Sequence, residues 1–180
     1  EDLISRWLIS RGWQVLPAYQ IQINHGKGPR LFGDYGQLIC PDLLVFNSST
    51  IYWIEAKHKS AFTWHRMSET WQTGIDLRHW LDYLKVSKVA PFPLWLFFLH
   101  KPGAAAKDTP ENMTSPSGLF ANSISFLADH VHHQHANHGP SGMVYWQLSS
   151  LKCLAPISDI VPSPSLASHP PLVSLPELQW

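Results

Sequence analysis

The chain has 180 residues, 44% apolar and 14% charged, with 13 basic and 13 acidic side chains and a formal net charge of zero. This is a globular composition long enough for one hydrophobic core, which excludes an intrinsically disordered chain. The even charge excludes a strongly basic domain that coats nucleic acid through net charge alone, and leaves local fields as the means of attracting an anion.

In chain order, residues 2–11 read as a helix. Leu3, Ile4, Trp7 and Leu8 share a face, and Gly12 is placed to end it. Residues 13–23 read as a strand, with Trp13, Val15, Ile21 and Ile23 at period two and an interruption at Pro17. Residues 25–36 are glycine-rich and read as a loop. Residues 43–46 and 51–57 are strand-like, and Asn47, Ser48, Ser49 and Thr50 between them are turn-like. Residues 68–88 read as a helix with Leu77, Trp80, Leu81 and Leu84 as its apolar stripe and Gly74 as a break. Residues 94–100 form a continuous apolar run, as in a strand buried on both faces.

Further on, residues 101–118 read as a loop, 119–130 as a short helix and 143–148 as a strand. From Ala155 the chain is rich in Ser and Pro and is expected to be extended. The expected division is a domain over 1–154 and a tail over 155–180. The order of elements predicts an α/β fold, a mixed sheet flanked by helices. The longest apolar run, residues 93–99, is too short to span a bilayer. No leader-peptide pattern is visible, and Cys40 and Cys153 form no CxxC pair. Reduced thiols and a cytoplasmic location are expected.

The chemistry concentrates in one hairpin. With residues 47–50 as its loop, Phe46 faces Ile51, Val45 faces Tyr52, Leu44 faces Trp53 and Leu43 faces Ile54. One step further sets Asp42 opposite Glu55, and Lys57 points to the same side. Two carboxylates and an ammonium thus meet at one end of an apolar hairpin, where like charges repel. A divalent cation resolves that conflict. Carboxylate oxygens suit hard Mg²⁺, which keeps several waters and takes further ligands from phosphate.

Pro41-Asp42 followed by Glu55-Ala56-Lys57 resembles the signature of the PD-(D/E)xK nuclease superfamily. The resemblance implies a restriction-endonuclease-like core: a helix, a mixed sheet with the motif on a hairpin, a helix and a further strand. It implies that Asp42 and Glu55 bind Mg²⁺ or Mn²⁺ and that Lys57 assists the attacking water. It also implies DNA as partner and, as a further expectation, a homodimer. An acidic residue on the first helix often adds a metal contact in this family, and Glu1 or Asp2 matches that position. Some subfamilies place a glutamine on the helix after the motif, a role open to Gln72.

Lys59, His65, Arg66, Arg78 and His79 follow the motif and are candidates for phosphate contacts. Phe62 and Trp64 are candidates for base stacking, although core packing is the commoner use of such residues. His130, His132, His133, His135 and His138 form a cluster, and His130 with His133 would share a metal only on a helix. Three functions compete: a metal-dependent deoxyribonuclease, a catalytically inactive nuclease-fold module that binds DNA or protein, and a His-rich metal-binding protein.

Overall fold

The computed structural model describes residues 1–20, 28–34, 36–102 and 109–161. Helix α1 (Asp2–Ser10) buries Ile4 and Leu8, as their spacing requires. Gly12 follows at φ +86°, a left-handed conformation that favours glycine. Strand β1 (Gln14–Pro17) is shorter than its alternation suggested, and a turn of 3-10 helix (Ala18–Gln20) takes over. Pro17 is tolerated because β1 is an edge strand. Ile21 and Ile23 lie outside the described residues.

Where a loop was expected, β2 (Arg30–Gly33) and β3 (Gly36–Ile39) form a small antiparallel hairpin. The glycines masked this element, but Leu31, Leu38 and Ile39 pack on the core. Strands β4 (Leu43–Phe46) and β5 (Ile51–Lys59) pair in the expected register, Leu43 with Ile54 through Phe46 with Ile51. The Asn47 side chain closes their turn, accepting hydrogen bonds from the backbone N–H groups of Ser49 and Thr50.

The segment 68–88 is not one helix. It follows β6 (Thr63–His65) and divides into β7 (Thr70–Asp76) and α2 (Leu77–Val89). Residues 71, 73 and 75 alternate inward in β7, and Gly74 lets a neighbouring strand approach so closely that a Cβ there would collide with the Val144 carbonyl. Asp76 starts α2 by accepting from the Arg78 N–H at 3.1 Å. β8 (Leu94–His100) is the expected strand buried on both faces. Residues 119–123, expected to be helical, belong to β9 (Gly118–Ser123), because they pair with β8. Helix α3 (Ile124–Asp129) begins only where the Ser123 hydroxyl accepts from the Phe126 N–H. The remaining strands among the described residues are β10 (His133–His135), β11 (Met143–Gln147) and β12 (Lys152–Ala155). Ala155 and Ile160 are buried, so the packed core continues past residue 154.

Among the described residues the main sheet has the order β1-β4-β5-β8-β9-β12, in which β5 and β8 pair in parallel and the other neighbours antiparallel. This is the expected α/β architecture, and helix, hairpin, helix and parallel strand follow in the expected order. A second, antiparallel sheet has the order β10-β11-β7-β6. Ile54, Ala56, Phe97 and Leu99 face α1 from one side of the main sheet. Leu94, Leu96 and Phe98 face α2 and the second sheet from the other.

Candidate active site

Strand alternation decides where the motif points. In the parallel pair β5–β8, Glu55 stands beside Leu96 and Lys57 beside Phe98, so both face the α2 side. Asp42 lies one residue before the β4 ladder, and its Oδ2 accepts from the Ala56 N–H at 2.9 Å. That bond carries the carboxylate across the hairpin end to Glu55.

Glu55 is 3% exposed. Its Oε1 accepts from Lys57 Nζ at 2.5 Å and from the Tyr83 hydroxyl at 2.5 Å, while Lys57 Nζ also donates to the Tyr83 oxygen at 3.0 Å. The other oxygen, Oε2, is buried without a partner among the described residues. A buried carboxylate oxygen left unpaired is exceptional in a folded protein.

The field at Asp42 is equally out of balance. Burial, and then the Glu55 charge, push its carboxyl up to about 7; the Ala56 N–H and Lys57 oppose this, and Glu1 adds to it. Burial and the Glu55 carboxylate push Tyr83 up, so it remains a neutral hydroxyl donor. Burial, with Glu55 and Asp42, raises the Cys40 thiol to about 11. Glu1, at the start of α1, lines a cavity of about 290 Å³ together with Asp2, Lys57, His58 and Lys101. Of the two acidic candidates on this helix, Asp2 is paired with Arg6 at 2.7 Å, and Glu1 is the one whose charge reaches Asp42.

Asp42, Glu55 and Lys57 are therefore brought together. Gln72 is not with them. It lies on β7 rather than on a helix, and it lines a cavity on the outer face of the second sheet. Lys59 shares the face of Glu55 and Lys57, and burial and the Lys57 charge lower its pKa. Arg66 stands on the exposed β6–β7 turn. Arg78 and His79 open α2 and share a polar cleft with Arg30 of β2. Phe62 is fully buried and stacks on His100 at 3.7 Å, and Trp64 packs edge-on against Trp71.

His130 ends α3 and stacks on Phe126, whereas His133 lies in β10, so the two share no helix. Among the described residues no group of three or more His, Cys, Asp or Glu side chains is arranged to hold a metal ion. The pair Asp42 and Glu55, with its orphaned oxygen, still fits a hard cation that completes its shell with water and phosphate. Tyr83 and Cys40 are the residues that sequence reasoning missed. Tyr83 sits three positions after Trp80 on the buried face of α2, and Cys40 two before Asp42.

The chain is thus a mixed α/β protein with two carboxylates and a lysine gathered at the end of its central hairpin. No family model and no curated protein matches it. Among solved structures it is similar to the Holliday junction resolvase Hjc of Archaeoglobus fulgidus, an archaeal hyperthermophile. The identity is 10% and the TM-score 0.46, over 82% of this chain and 84% of that one. Among the described residues, no helix is long and apolar enough to cross a membrane.

Proposed function

We propose that the chain is a metal-dependent nuclease of the PD-(D/E)xK kind that hydrolyses DNA phosphodiester bonds. Its carrying observation is Glu55 Oε2, buried and without a partner among the described residues in a site that also holds the Asp42 carboxylate. Asp42 and Glu55 would hold Mg²⁺ or Mn²⁺. Such an ion supplies charge neutralisation at the phosphoryl oxygens and a bound water of lowered pKa.

The chain's own groups do the rest. Lys57, anchored on Glu55 and Tyr83, holds an ammonium where negative charge develops on the phosphate. Tyr83 fixes the Glu55 rotamer through its hydroxyl. The cleft of Arg30, Arg78 and His79 offers two guanidinium groups and an imidazole N–H for the DNA backbone. This reading places the protein in the cytoplasm, where the free thiols Cys40 and Cys153 would stay reduced.

One observation favours a second reading, a catalytically inactive DNA- or protein-binding module. Lys57 and Tyr83 already satisfy Glu55 Oε1 without any ion. Cleavage assays separate the two. Plasmid, linear, single-stranded and branched DNA are each incubated with Mg²⁺, Mn²⁺ or EDTA. The nuclease reading expects cleavage of at least one form with metal, none in EDTA, and none by Asp42→Ala or Glu55→Ala. Binding without cleavage of any form supports the second reading, and equal cleavage in EDTA contradicts the first.

A further inference from the structure

The second sheet turns one face to the core and the other outward. Trp71 and Ile75 of β7 and Val144 and Trp146 of β11 are inward and buried. Their alternates Gln72, Gly74 and Tyr145 face outward, and so does His65 on β6. A polar side chain on an outer face is normally solvated. Gln72 departs from this: it is 7% exposed, and its Oε1 is buried with no hydrogen-bond partner among the described residues. Its backbone is held in place by the Thr63 hydroxyl, which donates to the Gln72 carbonyl at 3.3 Å.

Gln72 lines a cavity of about 390 Å³ whose walls include Trp64, His65, Arg66, His138 and Tyr145. That volume falls within the range of small-ligand pockets. The Tyr145 wall is fixed from several sides. His133 stacks on its ring at 4.7 Å, the bare Gly74 lies against the ring, and His138 Nδ1 is 2.9 Å from its hydroxyl. An apolar residue at position 72 would avoid burying an unpaired amide oxygen. The amide is accounted for if its partner arrives with a ligand.

We propose that this cavity receives one unpaired nucleobase of a bound DNA strand. A carboxamide presents an acceptor and a donor side by side, which complements the Watson–Crick edge of a base turned out of its stack. His65 and Tyr145, which share the outer face with Gln72, supply ring walls of the kind that hold a flat base. Arg66 lines the same cavity and supplies a guanidinium for the adjoining phosphate. The polymer's identity rests on the nuclease reading above. The pocket itself lies on a different sheet from Asp42 and Glu55 and can be tested without cleavage.

The test uses the full chain in EDTA, so that the DNA stays intact, and a duplex with one unpaired 2-aminopurine. The wild type should quench the probe's fluorescence and should bind this DNA about tenfold more tightly than the same duplex with an abasic site. Gln72→Leu should lose that tenfold preference while melting at or above the wild-type temperature. Gln72→Met serves in its place if the leucine variant does not fold.

An unchanged preference in the folded variant overturns the proposal. So does displacement of the DNA by equimolar adenosine monophosphate, which would make the ligand a free nucleotide. Metal-dependent cleavage without quenching overturns the pocket and leaves the nuclease reading standing. Quenching that is lost in Gln72→Leu supports the pocket even if no metal-dependent cleavage is found, in which case only the nuclease reading fails.

Discussion

Asp42 and Glu55 are like charges forced together by a backbone bond, the Ala56 N–H donating to Asp42. In the metal-free protein this arrangement makes stability depend on pH. The Asp42 carboxyl is raised from 3.8 to about 7, so between those values the folded state binds more protons than the unfolded chain. Its contribution is fully present below the unfolded value and is lost as pH rises through about 7. In EDTA, melting temperature should therefore fall between about pH 4 and 7 on this account. Asp42→Asn should flatten that part of the curve, because an amide does not titrate. A slope unchanged in the variant would assign the dependence to another group.

Lys57 has a different signature, since it touches Glu55 and Tyr83 and is not placed as a metal ligand. Lys57→Ala should lower the cleavage rate by about 10²–10³-fold, the scale of one lost electrostatic donor. Mn²⁺ affinity, read by calorimetry, should stay within a few fold. A large loss of affinity with an unchanged rate would contradict the assigned role. That Asp42, Glu55 and Lys57 meet at one end of the hairpin was legible from spacing, because a hairpin fixes which residues face one another. Tyr83 was not, since its value comes from a contact 28 residues away.

At the scale of elements, the β4–β5 hairpin was readable down to its register, because its turn residues and both apolar runs agree. The segment after it was not. Leu77, Trp80 and Leu84 suggested a helix reaching back to Ser68, while the alternation of Trp71, Thr73 and Ile75 was the competing signal. Tertiary pairing decided for the strand: β7 lies between β6 and β11, and Asp76 marks the helix start. Gly74→Ala distinguishes the two assignments by sign. In a helix, alanine would stabilise by about 1 kcal/mol. Against the Val144 carbonyl and the Tyr145 ring it should destabilise by about 1–3 kcal/mol, measured by urea unfolding.

On the scale of the whole molecule, sequence order showed an α/β chain with a mixed sheet, but not that a second sheet covers α2. Strands β7 and β11 meet across a long stretch of chain, and β10 is a short run of His and Gln with no apolar signal. The two sheets and α2 together bury the Glu55 face, so occupancy of the site should register in global stability. An ion that binds only the folded state adds about 2.7 kcal/mol at a hundredfold excess over its dissociation constant. For a chain of this size, that corresponds to a rise of about 5–10 °C in melting temperature. The decisive measurement is a set of four thermal melts at neutral pH: wild type and Asp42→Asn, each in EDTA and in Mn²⁺. The wild type should gain that rise with Mn²⁺, while Asp42→Asn should melt higher than wild type in EDTA and gain nothing from the ion. If Asp42→Asn melts lower in EDTA and still gains the full rise, Asp42 is not a metal ligand and the central claim is wrong.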